Sequence, residues 1–258
     1  MLQGTIRQCA AEFWGTMILI AFGCGVNTAV TFGDGKFGDF LSVNFGWAVA
    51  VVLGVYASAG ISGAHLNPAV TIALAAFRDF SWSKVVPYIL AQVAGAFVGA
   101  ALVLGTNWET FHKVDPARED IKTTGVFCTY PAEHVSNFPG AFVDQVVGTA
   151  LLVAMIFAIG DPRNTNPPSW FGPILVGITV FAIGLAYGIN AGYAINPARD
   201  FGPRLLSFVA GWRDVFTASQ GYWWVPIAGP IVGGLAGALG YEIFINSQHP
   251  KDSKPTGS

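Results

Sequence analysis

Charged residues are scarce in this sequence. Asp, Glu, Lys and Arg make up 11% of its 258 residues, whereas they make up about a quarter of an ordinary soluble domain. Hydrophobic residues reach 53%, which excludes a soluble globular domain and indicates an integral membrane protein. The formal net charge of −2 lacks the basic excess that nucleic-acid binding needs, so we expect no nucleic-acid partner.

Cysteine is also sparse, and the usual signatures of an active site are missing. The three cysteines (Cys9, Cys24 and Cys128) are odd in number, and two of them lie in an apolar segment. Neither a disulfide framework nor a metal cluster follows from them. The apolar segments contain no Ser/His/Asp set, metal-ligand cluster or phosphate-binding loop. We therefore expect no cofactor, no metal and no catalytic residues, and an enzyme is disfavoured.

Long apolar runs occur six times, each with the roughly twenty residues needed to cross about 30 Å of hydrocarbon. They lie at about 7–32, 41–61, 84–105, 139–160, 170–190 and 222–246. Each half-chain holds three, so we expect two repeats, about 7–105 and 139–246, with opposite orientations in the membrane. The polar segment 106–138 predicts an extramembrane loop, and 247–258 predicts a short tail. The whole chain, 1–258, is expected to be one domain.

One motif occurs twice, half a chain apart. Asn67-Pro68-Ala69 and Asn196-Pro197-Ala198 each follow a loop of small residues. Asn is a preferred N-cap and Pro fits the first helical position, so each motif predicts a helix start. The apolar runs that follow, Ala69 to Phe77 and Ala198 to Phe208, are about half a span long and would reach only the midplane. The loops before them must line an internal path, because lipid cannot satisfy their backbone groups.

Facing half-helices predict a site for neutral hydrogen-bond acceptors. Two positive helix ends would meet at the midplane, and the amides of Asn67 and Asn196 could cap their helices through oxygen while turning NH₂ groups into the lumen. This arrangement favours a hydroxyl or water oxygen and opposes cations and protons. The pore-lining loop backbone is expected at Gly63, Ala64, His65, Gly192 and Ala194. For the His65 side chain, a structural role is favoured over a pH sensor.

The paired motifs on inverted three-span repeats resemble the aquaporin family. Asp200, directly after Asn196-Pro197-Ala198-Arg199, is similar to the aquaglyceroporin (glycerol facilitator) branch, as are Phe201-Gly202-Pro203-Arg204 and Trp223-Trp224-Val225-Pro226. The resemblance covers about residues 7–246. It implies an all-α membrane protein with six transmembrane helices and two re-entrant half-helices. It also implies a homotetramer with one pore per subunit and a filter on the extracellular side. We expect the plasma membrane, with both termini cytoplasmic.

Carried over by spacing from the two motifs, the family's filter falls on Trp47, Gly184, Tyr193 and Arg199. Strict water channels of the family typically hold a His where Gly184 stands, so Gly leaves room. Trp47 and Tyr193 offer an aromatic corner to a carbon backbone, while Arg199 supplies donors in a fixed fork to adjacent hydroxyls. An apolar wall opposite a line of donors suits a polyol.

A carboxylate inside the first span, Glu12, is costly there and is expected to be functional or paired. The resemblance implies that Glu12 holds the motif loop by hydrogen bonds. The equivalent position in the second half is Gln145, which can still hydrogen-bond loop groups, so we expect it to keep the supporting role although the symmetry is only partial. Structural support is also expected from Pro68, Pro197 and Asp200. Asp144 has no assigned role.

The leading hypothesis is a passive channel for glycerol and other small neutral solutes, which also conducts water and excludes ions and protons. A strict water channel of the same fold is disfavoured by Gly184 and Asp200. A coupled secondary transporter shares inverted repeats and broken helices, but the spans offer only Glu12 and Asp144 as relay groups.

Overall fold

The structure, a computed structural model, describes residues 3–250; most of the predicted tail, residues 251–258, lies outside the described residues, as do residues 1–2. The helices are α1 (Gly4–Phe32), α2 (Phe40–Ser62), α3 (Pro68–Phe77), α4 (Val85–Thr106), α5 (Trp108–Val114), α6 (Ile121–Thr124), α7 (Phe142–Gly160), α8 (Gly172–Ala191), α9 (Pro197–Val209), α10 (Ala218–Gly221) and α11 (Val225–Phe244). Between residues 3 and 250 the chain forms no β-strand.

Six segments of the described chain are helical, long and apolar enough to cross a membrane, and they are built on α1, α2, α4, α7, α8 and α11. The six predicted spans are therefore confirmed. α3 and α9 have 10 and 13 residues, about half of the length that a crossing needs. Both begin at the proline of the repeated motif, because proline lacks an N–H and its fixed φ suits the first helical position.

Helix pairings repeat in the two halves of the chain. α1 packs against α2 and α4, and α7 packs in the same way against α8 and α11. Each half-helix also packs against the last span of the opposite half, α3 against α11 and α9 against α4. The two three-span repeats are therefore interlocked, and the half-helices bring both copies of the motif to the centre.

Glycines at four-residue spacing set the closest helix contacts. A Cβ on Gly95 or Gly99 of α4 would overlap backbone atoms of α1, and a Cβ on Gly233 or Gly237 of α11 would overlap backbone atoms of α7. Small residues let membrane helices approach to backbone contact. The same device therefore closes the equivalent helix pair in each half.

The predicted extramembrane loop folds back over one end of the bundle. Asp115 ends α5 and accepts hydrogen bonds from Trp212 Nε1 at 2.7 Å, Glu119 N at 3.1 Å and Asp120 N at 3.2 Å. Burial would raise the pKa of Asp115, but these hydrogen bonds together hold it below its usual value. The ring of Phe127, in the same loop, stacks on Phe111 and packs against Trp212. The loop is therefore anchored to the segment after α9.

Candidate transmembrane pore

The asparagines of the two motifs cap the two half-helices. Asn67 Oδ1 accepts from Ala69 N at 2.9 Å at the start of α3. Asn196 Oδ1 accepts from Ala198 N at 3.0 Å and Arg199 N at 3.2 Å at the start of α9. Each amide oxygen is thereby fixed toward its own helix, and each NH₂ group faces away from it.

Each NH₂ group binds the opposite loop. Asn67 Nδ2 donates to the carbonyl of Ile195, and Asn196 Nδ2 donates to the carbonyl of Leu66, both at 2.8 Å. An amide has two N–H donors, and both asparagines also line the cavity described below. The side chains therefore tie the two loops together and keep one further N–H donor each; the tie between the loops is not indicated by the sequence pattern.

The two loops share an unusual backbone. The residues four, three and one places before each Asn have positive φ: Gly63 (87°), Ala64 (51°), Leu66 (50°), Gly192 (69°), Tyr193 (35°) and Ile195 (44°). Four of the six carry side chains, for which this region is strained and persists only when neighbouring groups hold it. The loops therefore need partners on both sides.

Glu12 is the partner of the first loop. Its carboxylate, fully buried, accepts from His65 N at 3.0 Å, Leu66 N at 2.7 Å and Gln92 Nε2 at 2.8 Å. Gln92 Nε2 also donates to Thr71 Oγ1 of α3 at 3.0 Å. Sequence reasoning missed Gln92, whose signal is the same as that of Glu12: a large polar side chain inside an apolar span.

Gln145 holds the second loop with fewer bonds. Its Oε1 accepts from Ile195 N at 3.0 Å, and its Nε2 donates to the carbonyl of Ala191 at 3.2 Å. Ile195 and Leu66 occupy equivalent places before their asparagines, so the two supports correspond. Asp144, unassigned from the sequence, accepts from Asn190 Nδ2 at 3.0 Å.

The ring of His65 is packed rather than free. It lies against Phe80 and Tyr88, with ring centroids 4.5 and 5.1 Å away, and its Nδ1 pairs with Thr71 Oγ1 at 3.2 Å. These contacts fit the structural role that the sequence favours.

Two cavities inside the bundle share part of their walls. The central cavity, about 290 Å³, is lined by both motifs, including Gly63, Ala64, His65 and Ala194. The outer cavity, about 870 Å³, is lined by the extramembrane loop, with Gly192 in its wall. Trp47, Tyr193 and Arg199 line both cavities. Three of the four expected filter residues therefore stand between the two cavities, at a place that we call the constriction.

Arg199 is oriented by the loop that covers the outer cavity. Its guanidinium carbon lies 4.0 Å from the centre of the Trp47 ring, a cation–π distance. Its Nη1 donates to the carbonyl of Phe127 at 2.9 Å. Asn27 links the same parts, because it accepts from Trp47 Nε1 and donates to the carbonyl of Val126, both at 3.0 Å. Asn27 and the Phe127 carbonyl were not predicted.

Gly184, the fourth expected filter residue, lies behind the constriction. It is absent from the described walls of both cavities. A Cβ at Gly184 would collide with Asn44 Oδ1 and lie 2.8 Å from Tyr193 Cζ. The room that this glycine provides is therefore occupied by Asn44 Oδ1 and by the ring of Tyr193, and of these two residues only Tyr193 lines the cavities. Trp47 likewise packs against a glycine, because a Cβ at Gly23 would overlap its indole ring.

Asp200 is the centre of a buried clamp on the extramembrane loop. Its carboxylate accepts from Thr129 N and Thr129 Oγ1, each at 2.7 Å, and from Arg204 Nε at 2.8 Å. Arg204 in turn donates to the carbonyls of Thr129 and Val215, each at 2.8 Å. Thr129 is two residues from Phe127, so the clamp fixes the part of the loop whose carbonyl orients Arg199.

The constriction combines a charged group that donates hydrogen bonds with aromatic rings. A permanent cation and its donors stand beside two aromatic rings, and the positive ends of α3 and α9 lie beyond them in the central cavity. Neutral molecules with hydroxyl groups can bind the guanidinium donors while their CH groups contact the aromatic rings beside those donors. Cations meet like charge at two successive points. Within residues 3–250 there is no cluster of three His, Cys, Asp or Glu side chains able to hold a metal ion.

Comparison with known proteins gives consistent matches over nearly the whole chain. A family model described as Major intrinsic protein matches residues 2–241. Aquaporin-9 of Mus musculus is 42% identical over 248 residues, which cover 94% of this chain and 84% of the mouse protein. The Glycerol uptake facilitator protein of Escherichia coli (strain K12) is 43% identical over 255 residues, covering 95% and 90%. The X-ray structure of the aquaglyceroporin from Plasmodium falciparum superposes with a TM-score of 0.86 at 33% identity, covering 94% of this chain and 97% of that one.

Proposed function

Since the chain belongs to the major intrinsic protein family, we propose that it is a passive channel for glycerol and other small neutral solutes. It also conducts water and excludes ions and protons. The resemblance to the aquaglyceroporin branch is confirmed by relatives named as a glycerol uptake facilitator and as an aquaglyceroporin. The family is one of membrane channels, and the six apolar helices are those of an integral membrane protein.

The observation that carries the proposal is the constriction. Trp47, Tyr193 and Arg199 stand together between the two cavities and line both, and the guanidinium lies over the indole at 4.0 Å. A polyol has CH groups on one side and OH groups on the other. It can therefore slide along the rings while its hydroxyls exchange donors, first at Arg199 and then at the amides of Asn67 and Asn196. No group in this path needs to change its protonation state.

Further parts of the proposal concern assembly and placement. The two repeats, about 7–105 and 139–246, form one channel domain in which neither half makes a pore alone, since each half-helix packs against the opposite half. The channel is a homotetramer of four separate pores in the plasma membrane, with both termini cytoplasmic. The extramembrane loop and the outer cavity then face the cell exterior, and glycerol enters through them.

Osmotic measurements on proteoliposomes test the function. Stopped-flow light scattering should show faster glycerol entry and faster water exit than protein-free vesicles of the same lipid, with glycerol flux linear in concentration. Acceleration of water alone would identify a strict water channel. Saturable uptake that depends on an ion gradient would identify a coupled transporter.

A further inference from the structure

Two polar atoms behind the constriction are buried without a partner among residues 3–250. Asn44 of α2 is fully buried, and its Nδ2 donates to the carbonyl of Phe40 at 2.8 Å, while its Oδ1 has no hydrogen-bond partner in the described part of the chain. The hydroxyl of Tyr193 is likewise buried and has no partner within these residues. Native structures leave few such groups unsatisfied, and each one calls for an explanation.

The two atoms approach the same point on α8. At Gly184 a Cβ would collide with Asn44 Oδ1 and lie 2.8 Å from Tyr193 Cζ, so the amide oxygen and the phenol end of the ring flank one glycine. At Gly188, one turn further, a Cβ would lie 3.1 Å from Tyr193 Cδ1 and 2.5 Å from Phe40 Cζ. The Tyr193 ring therefore lies along a groove formed by two glycines of α8, and Asn44 and Phe40 of α2 close its far side.

We propose that Asn44 is a positioning residue for the filter: its Oδ1 accepts a hydrogen bond from the Tyr193 hydroxyl, directly or through one water, and holds the ring in this groove. The inference rests on the proposed function, because its effect on transport is on solute selection by the constriction. Neither Asn44 nor the hydroxyl of Tyr193 has a role in the pathway described above.

The chemistry of the pair is complementary. The bond from Nδ2 to Phe40 fixes the orientation of the Asn44 amide, so the group that flanks Gly184 is the acceptor oxygen. A phenol supplies the donor that this oxygen lacks. A small movement of the ring closes the bond directly, and a single water with these two partners closes it otherwise.

Anchoring the ring determines the width of the constriction. The groove is closed by α8 on one side and by Asn44 and Phe40 on the other, so a ring that loses its anchor has only the pore to move into. Water, in single file, tolerates a narrower passage better than a solute with a carbon chain. Loss of the bond should therefore reduce glycerol flux more than water flux.

A double-mutant cycle tests the inference. Tyr193→Phe and Asn44→Val should each lower the glycerol-to-water permeability ratio by about two- to tenfold, the effect of one net hydrogen bond on a barrier. The double variant should be no worse than either single variant, because the two residues act through one bond. Tyr187→Phe, which removes a phenol hydroxyl from α8 itself, is the matched control and should leave the ratio unchanged. A ratio measured on one vesicle preparation does not depend on how much protein inserted.

Two outcomes would overturn the inference: an unchanged ratio in folded Tyr193→Phe, or losses that add in the double variant. The midpoints of thermal unfolding of the wild type, the two single variants and the double variant give a second cycle that does not depend on transport. If the unmodified channel passes water but not glycerol, the proposed function fails. Coupling between positions 44 and 193 in the unfolding midpoints then decides whether the bond exists.

Discussion

Replacing Glu12 by alanine should destabilise the fold by several kcal/mol. The carboxylate is the acceptor for His65 N, Leu66 N and Gln92 Nε2. The His65 amide lies beside the central cavity, where water can replace the lost acceptor. Leu66 and Gln92 are buried, and a buried donor without a partner costs about 1–3 kcal/mol. Those two groups place the loss at about 2–6 kcal/mol, a large part of the stability of a typical domain.

The second half of the chain supplies the matched comparison. Gln145→Ala removes one acceptor, for Ile195 N, and one donor, to the carbonyl of Ala191. Its bonds are neutral and longer, whereas bonds to a charged acceptor are stronger. Gln145→Ala should therefore lower the unfolding midpoint less than Glu12→Ala does. Glu12→Gln should fall between them, because its amide keeps one acceptor oxygen but turns an NH₂ group toward a donor.

The measurement is thermal unfolding of the purified variants in one detergent, with the oligomeric state followed by size-exclusion chromatography. Glycerol and water permeabilities are then measured on vesicles with equal amounts of inserted protein. We expect the midpoint and the yield of oligomer to fall before the glycerol-to-water ratio changes. Wild-type stability with wild-type flux in Glu12→Ala, or a larger loss in Gln145→Ala, would refute the assignment of Glu12 as the main support of the first loop.

Three further predictions concern the constriction and its cover. Arg199→Val should permit a cation or proton leak, measured with a pH-sensitive dye trapped in vesicles, while part of the solute flux survives. An unchanged barrier to ions would mean that the half-helix ends are sufficient to exclude charge without Arg199. Gly184→His should lower glycerol permeability much more than water permeability, since the side chain has no room beside Asn44 and Tyr193. Gly184→Ala should act in the same direction. A glycerol-to-water permeability ratio equal to that of the wild type, in folded protein, would mean that position 184 does not affect the filter. Because the pKa of Asp115 in the folded protein lies below its usual value of 3.8, its ionised form stabilises the loop above about pH 4, and this stability is lost as the pH falls through the folded pKa. The unfolding midpoint of Asp115→Asn should therefore depend less on pH in this acid range, and an identical dependence would contradict the role of Asp115.

The backbone of the pore was predictable because its signals are local. A run of about twenty apolar residues has one structural outcome in a membrane, and Asn followed by Pro marks a helix start wherever it occurs. The half-helices accordingly begin at Pro68 and Pro197, directly after their asparagine caps. Glu12 was recognisable because a carboxylate in a span is costly enough to need partners.

The partners of the polar groups were not predictable, because they lie far away in sequence. Asn27 contacts the carbonyl of Val126, and Glu12 contacts the side chain of Gln92. A polar residue in an apolar span indicates that some partner exists, but its identity depends on how the helices pack. The same holds for Gly184. Its lack of a side chain is visible in the sequence, whereas the space is filled by Asn44 Oδ1 of another helix and by a ring from a loop whose path depends on three positive φ angles.

The constriction lies at one end of the pore because a symmetric backbone carries unlike side chains. Tyr193 and Arg199 stand three places before and after Asn196, and the equivalent places around Asn67 hold Ala64 and Val70. Ala64 and Val70 also line the central cavity, but they bring neither a ring nor a charge. Arg199 needs an acceptor to hold it, and Phe127 of the extramembrane loop supplies one. In the proposed channel we therefore expect selection by size and charge on the side covered by the loop, whereas the opposite half of the pore can remain wide and apolar without loss of selectivity.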